Sequence, residues 1–279
     1  MTRAALVSAD DPDSLAAAAI FADWVHDGLP DSLSLIARAA EAAPDRADLA
    51  WLHARLCTQH DSCDPTPILV HLRRLDPKNG LAWIGLLGRR SEPSTPEQTR
   101  ASLTGVANSD RFDVYWNSLV AHTMAAMVRT GTVDTPTALS AAVGATPAQA
   151  IPAYTPLTGA CKGASLEHPK VLDECRRVSA VLRRGDAYLS EMVGTAIAKK
   201  VWTATVPEYR DALAARRTAH YRMEMNSKID VRGMWNEEFA SRYLKLVPSH
   251  RTEQEVALAQ IIDAGIAPDP PANWKDSRE

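Results

Sequence analysis

Four cysteines carry the sharpest chemical signal in this 279-residue chain: Cys57, Cys63, Cys161 and Cys175. They fall into two local pairs, with five and thirteen residues between the members. An even count in local pairs is the pattern of a disulfide framework formed in an oxidising compartment. Four cysteines allow three connectivities, and 57–63 with 161–175 is the expected one; four reduced, buried thiols are the plainer alternative. Each bridge would stabilise by about 2–3 kcal/mol through the entropy it removes from the unfolded chain. A third reading groups His53, Cys57, His60 and Cys63. These are four zinc-capable ligands within eleven residues, with His53 and Cys57 one helical turn apart. Their spacing, H-x3-C-x2-H-x2-C, matches no common zinc signature, so a metal site there stands as the alternative and no metal as the expectation.

Other catalytic patterns are missing. There is no nucleophile elbow, phosphate loop, dinucleotide glycine fingerprint, H-E-x-x-H or C-x-x-C. The eight histidines are scattered. The expectation is therefore a protein that is not an enzyme and needs no cofactor.

Charge supplies the next signal. Residues 1–169 carry a net of −5, residues 170–250 a net of +5, and the last 29 residues −3. The basic stretch contains the doublets Arg176-Arg177, Arg183-Arg184, Lys199-Lys200 and Arg216-Arg217. Solvated helix faces explain most such doublets, while a basic surface that docks an acidic partner is the functional reading. The whole chain is −3 and lacks aromatics interleaved with the basic residues, so nucleic acid is not an expected partner. No apolar run reaches the ~18 residues of a membrane span. Trp83, Tyr115, Trp116, Arg183 and Arg184 are the candidate partner-binding residues: aromatic and arginine side chains dominate interface energetics.

The elements that position these residues read as helices. Ala, Leu and Arg are abundant and β-branched runs scarce, which favours an all-α chain. Asp11-Pro12-Asp13 opens a helix carrying Leu15, Ala18, Ala22 and Val25, closed by Gly28. Further helices are expected from Pro30-Asp31-Ser32 to Pro44, from about Leu49 to Cys57, and from Asp64 to Leu75. Others follow over 80–90, 96–107, 113–129, 136–144, 168–184, 186–202, 207–225, 236–246 and 251–264. At Arg184-Gly185-Asp186, Gly ends one helix and Asp caps the next. The cluster Met223, Met225, Met234 and Trp235 reads as core, with an adaptable binding surface as the alternative, and Trp274 as the pin that holds an extended final segment.

Leu49-Ala50-Trp51-Leu52 recurs 32 residues later as Leu81-Ala82-Trp83-Ile84, each copy just after a proline turn, at Pro44 and Pro77. A period near 34 indicates stacked helical hairpins, each too small to bury its own apolar stripe. With Leu75-Asp76-Pro77-Lys78-Asn79 followed by Ala82-Trp83 and Leu86, residues 44–92 resemble a tetratricopeptide repeat. The family's glycine after the Trp is one place late here, at Gly88, and its downstream aromatic is replaced by Arg89-Arg90-Ser91. The resemblance implies a curved helical array that binds proteins or peptides. The chain as a whole is also similar to uncharacterised bacterial helical proteins with paired cysteines.

The expected fold is thus all-α, built of antiparallel helical hairpins. A repeat-like lobe spans 1–145 and a less regular helical lobe 146–279, with a linker-like segment at 145–166. The expected function is a non-enzymatic protein–protein interaction module of the bacterial envelope, in one version an immunity or inhibitor protein that binds a toxin or effector. One alternative is an enzyme with a zinc-dependent helical site at His53, Cys57, His60 and Cys63; another is a cytosolic scaffold or regulator. Residues 1–20 lack the charged and apolar regions of a signal peptide. The paired cysteines favour a mature periplasmic protein, with a cytoplasmic one as the alternative.

Overall fold

The computed structural model describes residues 3–22, 28–87, 94–131 and 133–276, with Val231 and Arg232 as backbone only. Helices fill the described residues and no strand occurs among them; one isolated bridge joins Asn79 and Arg111. The order is α1 (Arg3–Ala9), α2 (Pro12–Ala22), α3 (Ser32–Ala42), α4 (Ala47–Cys57), α5 (Thr66–Leu75), α6 (Leu81–Ile84), α7 (Pro96–Ala107) and α8 (Trp116–Arg129). Then come α9 (Thr135–Ala150), α10 (Thr155–Ala160), a 3-10 turn (Gly163–Glu167), α11 (Pro169–Leu182), α12 (Tyr188–Val201) and α13 (Pro207–Gly233). The last are α14 (Glu237–Leu246), a 3-10 turn (Val247–Ser249) and α15 (Glu253–Asp263). Sequence neighbours pack together, α2 on α3, α8 on α9 and α11 on α12. One contiguous cluster of buried apolar side chains runs from Leu6 to Ala240.

Local chemistry explains where helices start. The Asp11 carboxylate accepts the Ser14 N–H and hydroxyl, with Pro12 at the first helical position. Asp31 accepts the Ser34 N–H at 2.7 Å, and Thr95 with Gln98 completes a capping box on α7. Val25 lies outside the described residues.

Several boundaries differ from expectation, each for a local reason. Of the helix expected over 80–90, α6 covers four residues and turns follow to Leu87, while residues 88–90 lie outside the described residues. Gly85 allows close approach there, since a Cβ would meet the Leu69 side chain at 2.4 Å. The segment expected as a linker at 145–166 contains the end of α9, α10 and a 3-10 turn. Pro147 sits inside α9. Tertiary contacts hold that last turn: Trp51 Nε1 donates to the Ala150 carbonyl at 2.8 Å, and Gln59 to the Gln149 side chain at 3.0 Å. α13 runs eight residues beyond the expected end at 225. Side-chain pairs one turn apart, Lys228 with Glu224 and Asn226 with Asp230, support the extension. Trp235, expected in the core, is 69% exposed at the α13–α14 turn.

The cysteines pair as 57–63 and 161–175, with Cα atoms 5.3 and 5.7 Å apart. The first bridge ties the end of α4 to the approach to α5. The second ties the end of α10 to α11.

Candidate functional site

The zinc alternative does not assemble. Both sulfurs of His53, Cys57, His60 and Cys63 are consumed in one bridge. His60 Nε2 lies 3.5 Å from the Ser32 hydroxyl, and burial pushes the His53 imidazole toward its neutral form. Among the described residues, no group of three or more His, Cys, Asp or Glu side chains could hold a metal ion.

The three aromatic candidates are built into the body. Trp83 is half-buried, with the Arg73 guanidinium 4.6 Å from its ring centroid, and packs so tightly on α7 that a Cβ at Gly105 would come within 2.2 Å of it. Trp116 is 8% exposed at the start of α8. Tyr115 takes left-handed backbone geometry (φ 59°), which ends any helix before it and moves the start of α8 from the expected 113 to 116. Its hydroxyl donates to Asp76 at 2.8 Å. Burial and the Asp76 charge both raise its pKa, so it stays a neutral donor.

Around Tyr115 lies a polar clamp that no local pattern reveals. Arg111 bridges Asp76 at 2.6 Å and Asp113 at 2.8 Å. The Asn79 amide donates to the Asp113 carbonyl, while its oxygen accepts the Asp113 and Leu81 N–H groups. Arg251, just before α15, reaches Asp113 at 3.1 Å. Asp186 is 2% exposed and accepts the Val114 N–H at 2.7 Å and the Trp116 N–H at 3.0 Å. It therefore caps α8, not the helix that follows it as expected. The α12 start is held instead by Glu253, which accepts the Tyr188 N–H at 2.7 Å. Burial and the nearby Asp113 carboxylate push Asp186 up to about 7, against the two N–H groups that favour its charge. Burial likewise pushes Glu253 up to about 7.

This clamp fixes the turn between α11 and α12, which carries the remaining two candidates. Arg183 is half-buried and Arg184 exposed. Both line an open cavity of about 540 Å³, together with Arg222 from α13 and Arg251. Glu191 and Glu255 are its acidic residues. Arg222 pairs with Asp269 and Arg251 with Asp113, and Glu255 is engaged by the Arg251 and Thr252 N–H groups. Arg183 and Arg184 make no ion pair or side-chain hydrogen bond among the described residues, and the buried Arg183 Nε has no partner. The Arg183 charge acts on the nearby Glu191 carboxylate without a hydrogen bond to it among the described residues. The cavity thus holds two guanidiniums outside any internal ion pair, Arg184 being the exposed one, and both are suited to recognition of carboxylates.

Arg251 also borders a second cavity of about 500 Å³ whose lining includes Ala121, Ala125, Leu244 and Val247. Its Ser118, His122 and His250 each face other partners, His250 Nδ1 lying 2.9 Å from the Leu246 carbonyl. Ser118 Oγ donates to Asp48 at 2.7 Å, and His122 Nδ1 lies 3.2 Å from Asp13. The His122 contact, aided by Arg46, holds Asp13 down to about 2.

No helix among the described residues is long and apolar enough to cross a membrane. No family model, curated protein or solved structure matches the chain.

Proposed function

We propose that this protein is a non-enzymatic interaction module that grips an acidic surface of another protein through Arg183 and Arg184. The observation that carries the reading is a pair of arginines lining one cavity that make no ion pair or side-chain hydrogen bond among the described residues. Arginine forks that are not hydrogen-bonded to an internal carboxylate can donate to those of a partner, and a basic patch steers an acidic partner during encounter. The resemblance of residues 44–92 to stacked helical hairpins supports a gripping role. The two disulfide pairs are compatible with an oxidising compartment, which supports the periplasm as the setting. An immunity or inhibitor protein that covers a toxin or effector is the specific version of this reading.

The test is affinity capture from envelope extracts of the native host, run in parallel with wild-type protein and the R183E/R184E variant. A partner held by the wild type should be lost from the variant and released at about 1 M salt, where screening leaves little attraction beyond ~3 Å. A partner retained equally by both would remove the arginine pair from the interface.

A further inference from the structure

The segment after α15 is held along α13 by side chains that grip its backbone. Tyr221 Oη donates to the Ala267 carbonyl at 3.1 Å and Arg222 Nε to the Pro268 carbonyl at 2.9 Å. Arg217 donates to the carbonyls of Pro271 and Trp274 at 2.8 and 2.9 Å. The Trp274 ring stands edge-on to Tyr221 with centroids 5.5 Å apart, and the Arg217 guanidinium lies 5.4 Å from the Trp274 centroid. His220 Nδ1 hydrogen-bonds the Asp276 carboxylate, and both side chains are buried.

These contacts combine the two components of peptide recognition. Donors aimed at main-chain carbonyls bind any extended segment, and seated side chains, here Trp274 and Asp276, supply selectivity. Pro268, Pro270 and Pro271 restrict the free segment to extended conformations, so little entropy is lost when it docks. Arg217, His220 and Tyr221 share one helix face, three and four residues apart. Arg222 has a double position: it lines the arginine cavity, yet its guanidinium is engaged by Pro268 and, at 3.2 Å, by Asp269.

We propose that this face of α13 is a docking surface for an extended peptide rich in proline and acid, and that the segment Ala267–Asp276 occupies it as a built-in stand-in. A partner segment of the same chemistry displaces the stand-in and frees Arg222 for the neighbouring cavity. The proposal rests on the reading that the protein works by binding another protein, and it extends the contact from one cavity to a two-part surface.

The test uses the full chain and a fluorescently labelled synthetic peptide of residues 266–276. In the wild type the tethered copy competes at an effective concentration in the millimolar range and blocks the free peptide. Trp274→Ala weakens the tethered copy and leaves every donor on α13 in place. The W274A chain should bind the peptide at least about tenfold more tightly than the wild type. Adding Arg217→Ala should abolish that gain. Asp276→Asn weakens the tethered copy by an independent route and serves if W274A does not fold. A W274A or D276N chain that keeps the wild-type helical circular-dichroism signal and unfolds cooperatively, yet binds the peptide no better than the wild type, overturns the proposal. The R183E/R184E capture experiment and this peptide assay use different residues and different ligands, so failure of the cavity reading and failure of the stand-in are read separately.

Discussion

Asp186 accepts the Trp116 N–H at 3.0 Å across a separation of 70 residues, so the turn between α11 and α12 supplies the cap that starts α8. The same carboxylate takes the Val114 N–H at 2.7 Å. Left without a partner, each buried N–H would cost about 1–3 kcal/mol. Asp186→Ala should therefore destabilise by about 2–4 kcal/mol, measured by urea unfolding. Asp186→Asn keeps one acceptor oxygen and should fall between the two. An alanine variant within about 0.5 kcal/mol of wild type would show that water replaces the carboxylate.

The buried acids set a pH dependence with a defined sign. Asp186 and Glu253 are pushed up to about 7 and Asp230 to about 6. Their unfolded values lie near 4. The folded state therefore holds more protons than the unfolded state between about pH 4 and 7. The stability these groups contribute is fully present below about pH 4 and is lost as pH rises through 7, by up to ~1.4 kcal/mol per pH unit for each group. The urea midpoint should fall from pH 5 to 7 and level off above 8. D186N/E253Q should flatten the slope. Asp13, held at about 2, acts with the opposite sign, since its contribution is lost as pH falls from about 4 toward 2. A midpoint that rises between pH 5 and 7 would contradict the assignment.

Legibility in the sequence followed the range of the interactions. Where a helix end is set by its own residues, the pattern sufficed: α7 occupies the expected 96–107, with its capping box made by Thr95 and Gln98. The local cysteine pairs also match the expected pairing. Where a distant group decides, the sequence misled. The helix expected to end at 144 before a linker instead runs to Ala150, where contacts from Trp51 and Gln59 hold its last turn past Pro147. Asp186 reads as the cap of its own helix, but its carboxylate turns to α8. Arg183-Arg184 is visible as a doublet, whereas Arg222 and Arg251 join it from elements 38 and 67 residues beyond Arg184. The two echoing tryptophans do not share an environment: Trp51 is fully buried and hydrogen-bonded to α9, and Trp83 is half-buried against α7.

The Trp83 contact with α7 leaves no room for a methyl group. A Cβ at Gly105 would stand 2.2 Å from the indole, whose own position is fixed by Arg73 above it. Gly105 sits within a helix, where alanine would ordinarily gain about 1 kcal/mol in propensity. Overpacking should outweigh that gain and leave Gly105→Ala net destabilised by about 1–2 kcal/mol. A second substitution, Trp83→Leu, makes room and should recover part of the loss. If G105A is as stable as wild type, α7 and α6 can separate freely at this point.

The two bridges differ in exposure, and that difference orders their reduction. Cys161 and Cys175 are fully buried, as is Cys57, but Cys63 is partly exposed. Exchange needs a thiolate to reach a sulfur, so the native fold admits reductant at Cys63 first. Mild reductant followed by alkylation and mass spectrometry should label Cys57 and Cys63 well before Cys161 and Cys175. The energetic order is the reverse. The 161–175 bridge closes the longer loop, and its loss should cost about 0.5–1 kcal/mol more than loss of 57–63. C161S/C175S should thus melt below C57S/C63S, and both below the wild type. Simultaneous labelling of all four cysteines under native conditions would mean that the 161–175 region opens as readily as the α4–α5 corner, contrary to its burial.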